Sequence, residues 1–480
     1  MSDKFIPIFA ATDTAPSSGL WVVEAKNKIY VRAVTGWFAA WRWALVWITQ
    51  LVFYGMPWLQ WNGRQAVLFD LQGQRFFLFG LALYPQDLVY LAVLLMVSAL
   101  ALFFFTAVAG RLWCGFACPQ TVYTEIFLWI ERHTEGNHHA RKRLDGMAWS
   151  PEKLARKTSK QILWLGLSLW TGFTFVGYFT PIQTLAATLP TLGMGPWEAF
   201  WILFYGLATY GNAGYLREQV CKHMCPYARF QGAMLDRDTL VIGYDAARGE
   251  SRGSRPRTAD PKSLGLGDCI DCTLCVQVCP TGIDIRKGLQ SNCIGCAACI
   301  DVCDSVMDQM HYPRGLIRYA TENGLAHGWD KATLLKRVLR ARVLLYGALL
   351  LTVTTALVVS IAQRSPVRMD IIRDRGVMAR TANDGAVDNI YRLHLMNATE
   401  STQRYRIGVA GPLGLALRHP LEVELGPVEE HTVPVGVRLP STQAAARAGQ
   451  TVSFHFEVQL LGGEHDGHQV LERSTFHVPR

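Results

Sequence analysis

Long apolar runs are the feature that most constrains the fold of this chain. A helix needs about 20 consecutive apolar residues to cross a bilayer, and five segments approach or exceed that length. They are Trp37–Leu59, Leu88–Gly110, Ile162–Phe179, Ala199–Tyr215 and Val343–Ala362. Only 18% of the residues are charged, against about a quarter in soluble domains. The sequence therefore predicts an α-helical membrane protein with five spans.

Charged residues are almost absent from these segments. Arg42, near the start of the first, is the exception, and we expect its long side chain to reach the lipid headgroups. No secretory signal pattern precedes the first segment, so residues 1–36 are expected to form a cytosolic tail.

The distribution of basic residues predicts the orientation of the spans. Nine Lys and Arg residues lie between Arg111 and Lys160, two lie between the first and second segments, and none lies between the third and fourth. Because basic loops stay in the cytoplasm, we expect a four-helix membrane region over 37–215 with a cytosolic loop at 111–160. A cytosolic region at 216–342, a fifth helix at 343–362 and a periplasmic domain at 366–480 follow. The basic residues cluster at membrane boundaries and match no nucleic-acid-binding motif, so no nucleic acid partner is expected.

Eight of the twelve cysteines form one pattern that occurs twice. Cys269-x2-Cys272-x2-Cys275-x3-Cys279-Pro280 is followed by Cys293-x2-Cys296-x2-Cys299-x3-Cys303. This is the spacing of bacterial two-cluster ferredoxins, in which the fourth cysteine of each run ligates the other cluster. The pattern predicts one [4Fe-4S] cluster on Cys269, Cys272, Cys275 and Cys303, and a second on Cys293, Cys296, Cys299 and Cys279.

Structural zinc and disulfides are the alternatives for these eight cysteines. Zinc usually takes two CxxC pairs separated by a longer loop, and disulfides are disfavoured in a reducing cytosol. The doubled spacing favours one-electron transfer by two clusters. The second run has Asp304 where a proline follows the first, which changes the local turn but removes no ligand.

The other four cysteines form two CxxxCP motifs. Cys114 and Cys118 follow the second apolar segment, and Cys221 and Cys225 follow the fourth. Proline suits the first position of a helix, so Cys118 and Cys225 are expected where new helices begin, and a helix N-terminus lowers the pKa of a thiol.

Soft thiolate and thioether ligands select Cu(I), zinc or iron–sulfur clusters. The candidate metal ligands are Cys114, Cys118, Cys221, Cys225, His223 and Met224. Spacing alone leaves four interpretations open, namely a copper site, zinc or a further cluster, redox-active thiols, and packing. Haem is disfavoured, because no histidine lies in an apolar segment and no CxxCH occurs.

The stretches GRLWCGFACPQTV from Gly110 and REQVCKHMCPYARF from Arg217, together with the ferredoxin region, resemble the CcoG/FixG/RdxA family of accessory proteins for cbb-type cytochrome c oxidase. The resemblance implies reduction of Cu(II) to Cu(I) at the cytoplasmic face of the bacterial inner membrane. It implies that the four CxxxCP cysteines are the catalytic, copper-handling residues and that the clusters supply their electrons. The implied partners are a cytosolic electron donor and oxidase assembly factors or a copper transporter or chaperone.

Two alternative functions remain. The chain also resembles membrane ferredoxins that exchange electrons with quinol, and it could instead be a non-enzymatic copper-binding scaffold. Oxidation of reduced clusters by Cu(II), by a quinone analogue or by neither separates the three functions.

The last 115 residues alternate apolar and polar positions instead of forming long runs. Short strands are expected at Ile390–Met396, Tyr405–Val409, Leu421–Leu425, Thr432–Leu439 and Thr451–Leu461. Several short strands separated by Gly and Pro predict a β-sandwich, and the family resemblance implies an immunoglobulin-like fold. Because this region has no cysteine, it cannot contain an inter-sheet disulfide.

Overall fold

The structure is a computed structural model that describes residues 28–191, 193–261, 263–373, 379–411, 414–462 and 466–479. Most of the expected N-terminal tail lies outside the described residues. The helices are α1 (Trp37–Gly55), α2 (Leu88–Ala109), α3 (Leu112–Phe116), α4 (Pro119–Glu135), α5 (His138–Gly146), α6 (Pro151–Val176), α7 (Ile182–Thr188), α8 (Pro196–Thr209), α9 (Pro226–Met234), α10 (Ala246–Gly249), α11 (Leu274–Gln277), α12 (Ala298–Met310), α13 (Glu322–His327), α14 (Lys331–Val338), α15 (Ala341–Ala362) and α16 (Ser441–Ala444).

The strands are short in the first part of the chain and longer near its end. They are β1 (Gln60–Trp61), β2 (Arg64–Gln65), β3 (Val67–Asp70), β4 (Arg75–Leu78), β5 (Leu81–Leu83), β6 (Val241–Tyr244), β7 (Ile317–Ala320), β8 (Val367–Arg373), β9 (Arg380–Thr381), β10 (Val387–Asn397), β11 (Gln403–Ala410), β12 (Ala416–Leu417), β13 (Leu421–Leu425), β14 (Glu430–Leu439), β15 (Thr451–Leu461) and β16 (Gln469–His477).

The chain divides into two compact units. The first comprises Met1–Trp58 and Tyr90–Leu357, and the second comprises Leu59–Val89 and Val358–Arg480. The first unit contains all twelve cysteines, each of which carries a free thiol. The second contains the expected C-terminal domain together with the segment that joins the first two apolar helices.

Two helices of the described residues are long and apolar enough to cross a membrane. Pro85–Ala109 has a mean hydropathy of 2.7 and Ala341–Ala362 has a mean hydropathy of 2.2. They correspond to the second and fifth predicted spans and indicate membrane association. The other three predicted spans are also helical, as α1, α6 and α8, but their crossing of a bilayer stays a prediction.

Residues 111–160, which are expected to connect two spans on the cytosolic side, are largely helical. This region contains α3, α4, α5 and the first ten residues of α6, and buried ion pairs hold it together. On α4, Glu131 pairs with Arg141 and with Arg217, each at 2.6 Å, and Glu135 pairs with Lys160 at 2.9 Å. Burial alone would raise the pKa of Glu131, but Arg217 and Arg141 hold it below its ordinary value. The basic residues that predicted a solvent-exposed loop therefore include the partners of buried carboxylates.

A small sheet closes the region that contains the ferredoxin cysteines. Strand β6 pairs antiparallel with β7, which follows the last cysteine. Ile242 and Ile317 from this pair contact Ile300 and Met307 of α12 in one buried cluster. The cysteine loops are therefore enclosed by an apolar core.

The second unit contains a β-sandwich. One antiparallel sheet has the order β12-β14-β10-β8 with β9 beside β10, and the other has the order β13-β11-β15-β16. Alternate residues of β15, including Phe454 and Phe456, are fully buried against Tyr391 of the opposite sheet. The five predicted strands are confirmed as β10, β11, β13, β14 and β15. Strand β8, at one edge, was missed because its alternation is interrupted.

The segment between the first two apolar helices also belongs to the second unit. Its strands β3, β4 and β5 form a three-stranded sheet, and Leu68, Phe77 and Tyr84 from it contact Met396 and Val428 of the sandwich. The Tyr84 hydroxyl donates to the Asn397 carbonyl at 3.1 Å. The sequence pattern predicts the strands of the C-terminal domain, but it does not predict that this three-stranded sheet packs on them.

A buried ion pair joins the two parts of this unit. The Asp87 carboxylate is 1% exposed and lies 2.5 Å from Arg364 and 2.7 Å from Arg368. One of its oxygens also accepts the backbone N–H of Tyr84. A buried guanidinium that loses its counter-ion is strongly destabilising.

Replacing Asp87 with Asn should lower the free energy of unfolding of the second unit by about 3–5 kcal/mol, because Arg364 would stay buried without a counter-ion. Urea unfolding of the full chain in detergent, followed by protease sensitivity of the second unit, measures this loss. Glu422→Gln is the matched control, since the Glu422–Arg406 pair is more than half exposed on both sides and should contribute less than about 1 kcal/mol. Equal effects of the two variants would contradict the role of the Asp87 pair.

Candidate functional site

The first CxxxCP motif lies in the turn that follows α2. Cys114 is on the short helix α3, and Cys118 is the N-cap residue of α4 with Pro119 at the first helical position. The Cys118 N–H donates to the Trp113 carbonyl at 2.9 Å, and the Thr121 hydroxyl donates to the Cys114 carbonyl at 2.6 Å. The prediction that a helix begins after Cys118 is confirmed.

The second motif has the same arrangement. Cys221 lies in a single π-helical turn, Val220–Met224, and Cys225 is the N-cap residue of α9. The Cys225 N–H donates to the Val220 carbonyl at 2.8 Å. The prediction of a helix start at Pro226 is also confirmed. His223 is exposed, and Met224 is 60% exposed.

The two motifs meet in space. The four thiols lie close enough for their ionised forms to repel each other. Cys114 is near Cys118 and Cys221, and Cys118 is near Cys221 and Cys225. The Cys114 thiol donates, at 3.4 Å, to the amide oxygen of Gln231 on α9, the helix that starts at the end of the second motif. The fully buried Gln231 thus joins the motifs, although the sequence gave no signal for it beyond its place on that helix.

Burial dominates the electrostatics of these thiols. It raises the pKa of Cys114 to about 12 and that of Cys221 to about 11. It also raises the pKa of Cys118, although the backbone N–H groups of Gln120 and Thr121 act in the opposite direction. The expectation that a helix N-terminus would lower the pKa of Cys118 is therefore wrong, because desolvation outweighs the helix terminus. A bound cation would favour the thiolate forms.

No group of three Cys, His, Asp or Glu side chains in the described parts of the chain has the arrangement of a single-ion site. The four CxxxCP thiols lie close enough for their charges to interact, but a copper ion would need some of them to draw closer. His223 and Met224 would have to turn inward from the surface to join them.

Two separate cavities lie among the ferredoxin cysteines. The first, with about 380 Å³ free of protein atoms, is lined by the first three cysteines of the first run and the last of the second. The other, with about 340 Å³, is lined by the first three cysteines of the second run, by Cys279 and by Cys275. The first set is Cys269, Cys272, Cys275 and Cys303, and the second is Cys279, Cys293, Cys296 and Cys299. Four thiols around one small space are the donor set that a [4Fe-4S] cluster takes, so these residues fit two such clusters.

The two runs fold in the same way. Asp271 and Thr273 have left-handed backbone torsions, with φ of 53° and 56°. Gly295 and Ala297, at the equivalent positions, have φ of 70° and 60°. These turns bend each chain so that three closely spaced cysteines face one space. The missing proline is also explained, since Cys303 lies inside α12 and that helix continues through Asp304 to Met310.

The second ferredoxin loop contacts the first CxxxCP motif directly. A Cβ on residue 115 would lie 2.6 Å from the Gly295 carbonyl oxygen and 2.8 Å from the Cys296 nitrogen, so only glycine fits. Arg111 bridges the same region, because its guanidinium donates to the carbonyl oxygens of Cys293 and Ala228, each at 2.9 Å. Both motifs are therefore packed on the second cysteine run.

Arg42 does not reach the headgroups. It is 7% exposed and donates from Nη1 to the Cys296 carbonyl oxygen at 2.6 Å. The start of the same helix is fixed by Asp301, whose carboxylate accepts the N–H groups of Phe38 at 3.1 Å and Ala39 at 2.7 Å. The sequence pattern places Arg42 near a membrane boundary, but it cannot show that a protein loop occupies this position in place of lipid.

The chain is similar to known proteins over most of its length. The chain is 37% identical to Protein RdxA of Cereibacter sphaeroides over 95% of this chain and 98% of that protein. It is 39% identical to Protein RdxB of the same organism, covering 87% and 90% of the two chains. It is 36% identical to the nitrogen fixation protein FixG of Rhizobium meliloti, covering 82% and 81%. The chain belongs to the CcoG/FixG/RdxA family.

Three family profiles match separate parts of the chain. A 4Fe-4S dicluster domain matches residues 216–322, a 4Fe-4S binding domain matches 91–136, and an IG-like fold at the C-terminus of FixG matches 357–479. This family member is therefore an iron–sulfur protein of the electron-transfer type with an immunoglobulin-like domain. A crystal structure of a FixG-related protein from Vibrio parahaemolyticus matches 24% of this chain and 97% of that chain at 20% identity, but its TM-score of 0.21 carries no weight.

The crossed arrangement of cysteines around the two cavities makes a test of cluster ligation possible. Cys279→Ser should abolish the same electron paramagnetic resonance signal as Cys293→Ser and leave the signal that Cys275→Ser abolishes. The iron content should fall to about half in each variant, because each would lose one of two clusters. Spectra of the dithionite-reduced proteins measure this. If Cys279→Ser matched Cys275→Ser instead, each run would hold its own cluster.

Proposed function

We propose that this protein reduces Cu(II) to Cu(I) with electrons supplied through two [4Fe-4S] clusters. Cys114, Cys118, Cys221 and Cys225 form the substrate site. The observation that carries the proposal is the direct backbone contact between Gly115 and the Gly295–Cys296 peptide. It joins the candidate copper-handling thiols to the ligand loop of a cluster without an intervening side chain.

This contact also gives the order of electron transfer. The cavity lined by Cys293, Cys296 and Cys299 belongs to the loop that touches the first CxxxCP motif. Cys275 lines both cavities, so the two cluster sites are adjacent. The cluster on Cys279, Cys293, Cys296 and Cys299 is therefore the one next to copper, and the cluster on Cys269, Cys272, Cys275 and Cys303 faces the donor.

The chain's own residues prepare the thiol site for a one-electron step. When bound, each cluster supplies one electron at a time. Burial keeps Cys114 and Cys221 neutral until a cation arrives, and the thiols lose their protons as they ligate it. Gln231 accepts from the Cys114 thiol and holds it in position. Thiolate ligands favour Cu(I) over harder ions, so the same four cysteines retain the product of the reaction.

The proposal includes a location for each unit. The basic residues near α4, α5 and α15 support a cytoplasmic position for the cysteine motifs under the positive-inside rule. The immunoglobulin-like unit is then periplasmic, and α1, α2, α6, α8 and α15 are the five spans of a bacterial inner-membrane protein. A cytosolic donor loads the clusters, and a copper transporter, chaperone or assembly factor of a cbb-type oxidase takes Cu(I).

A second candidate for the four CxxxCP cysteines is a further iron–sulfur cluster. The 4Fe-4S binding profile that matches residues 91–136 includes Cys114 and Cys118, which favours this alternative. Iron content separates the two. A chain with Cys114→Ala and Cys221→Ala keeps two clusters if the thiols handle copper, and it loses one of three if they hold iron.

Gly115→Ala should slow cluster oxidation by Cu(II) by about tenfold, which corresponds to about 1.4 kcal/mol in the barrier. The added methyl group forces the two backbones apart, and electron tunnelling weakens steeply with separation. Gly232→Ala is the control, because a Cβ there meets nothing within 4 Å. The measurement is Cu(I) formed under anaerobic conditions, trapped by a Cu(I)-specific chelator, with the iron content of each variant determined first.

Oxidation of the clusters by a quinone analogue would contradict the proposal. If the analogue oxidised the reduced clusters and Cu(II) did not, the quinol-linked function would replace the one proposed here. If neither acceptor oxidised them, the protein would be a scaffold.

A further inference from the structure

A cavity in the first unit lies between the second CxxxCP motif and the second ferredoxin run. It opens to solvent, with about 930 Å³ free of protein atoms when the solvent at its mouth is included, and its wall includes Cys221, Cys296 and Pro280, which follows Cys279. A molecule in this cavity would therefore contact a thiol of the copper site and the loop of the adjacent cluster at once.

The wall of the cavity is positively charged. Five arginines contribute to it, and the carboxylates are Glu125 and Glu218. The arginines are Arg32, Arg42, Arg132, Arg141 and Arg217. Two of these are already paired, since Arg141 and Arg217 both bind Glu131. The other three leave the wall with a net positive charge.

Several of the donors in this wall have no acceptor within the protein. Arg42 and Arg141 are more than nine-tenths buried, and the Nε atom of each lacks a hydrogen-bond partner among the described residues. Buried donors such as these two Nε atoms are rare in native proteins and require an acceptor. Arg32 is exposed and Arg132 is partly buried, and neither has a carboxylate within ion-pair distance in the described parts of the chain. A carboxylate oxygen that entered the cavity would be an acceptor for these groups.

This charge disfavours a bare divalent cation on the route to Cys221. Two like charges in a partly desolvated site repel each other by several kilocalories per mole, about 4 kcal/mol at 4 Å. Guanidinium groups instead bind carboxylates through paired hydrogen bonds. The arginines of this cavity therefore favour a copper ion that arrives inside a complex whose overall charge is negative.

We propose that this cavity binds the substrate as an anionic Cu(II) chelate with carboxylate ligands. The inference rests on the proposed copper reduction. One electron from the reduced cluster next to the thiols converts Cu(II) to Cu(I). That cluster is oxidised by one electron, and no other oxidant or reductant is needed. The thiolates replace the carboxylate oxygens around the soft Cu(I), their protons pass to solvent, and the arginines hold the chelator until it leaves.

The test compares an anionic with a cationic complex. Reduction of Cu(II) citrate and of the cationic Cu(II) bis(ethylenediamine) complex is measured against concentration for the full-length protein in detergent. In the Arg32→Gln, Arg132→Gln double variant, KM for the citrate complex should rise about tenfold, while kcat stays within about twofold. KM for the cationic complex should stay the same or fall. Arg143→Gln, an exposed arginine outside the cavity, should change neither KM.

Equal losses with both complexes in the double variant would overturn the proposal. So would a wild-type KM that is the same for both complexes.

A copper-free measurement separates this proposal from the proposed function. Citrate alone should bind the oxidised wild-type protein in calorimetry, and about tenfold more weakly to the double variant. Binding of citrate without any reduction of copper would leave the cavity assignment standing and remove the reductase function. Failure of citrate to bind, or preference for inorganic phosphate over citrate, would remove the cavity assignment even if copper is reduced.

Discussion

The backbone contact between Gly115 and the Gly295–Cys296 peptide is the constraint on which the functional arrangement depends. Neither side has room for a side chain, because a Cβ on Gly295 would also lie 3.0 Å from the Arg111 carbonyl oxygen. Arg111 then ties the two chain segments to the second CxxxCP motif through Ala228. Three stretches that are far apart in sequence thus form one junction, and the proposed transfer of electrons from cluster to copper would use it.

The charged groups around this junction favour the addition of an electron to the adjacent cluster site. Arg42 and Arg111 donate to carbonyl groups of the second cluster loop, which favours the more negative, reduced state of a cluster nearby. The Cys114 and Cys221 thiols stay neutral when no cation is bound, since burial raises the pKa of each. Under the proposed copper reduction, an electron on this cluster and a cation at the thiols would therefore stabilise each other.

The sequence predicted the features that depend on local spacing. Cysteine intervals predicted two cluster sites, prolines predicted the helix starts after Cys118 and Cys225, and alternation predicted five strands of the sandwich. Features that depend on distant contacts were missed. Arg42 was assigned to the lipid headgroups because a pattern cannot show which partner a cation finds. The sheet that joins 59–89 to the C-terminal domain was missed for the same reason, since buried partners such as Met396 lie far away along the chain.

The central claim is that electrons leave the clusters through the four CxxxCP thiols to copper. Its most direct test is stopped-flow mixing of anaerobically reduced protein with Cu(II), following the iron–sulfur absorbance, in wild type and in a chain carrying Cys114→Ala and Cys221→Ala. The iron–sulfur absorbance should recover rapidly in wild type as the clusters are oxidised, and slowly in the variant at unchanged iron content. Equal rates in the two proteins would contradict it.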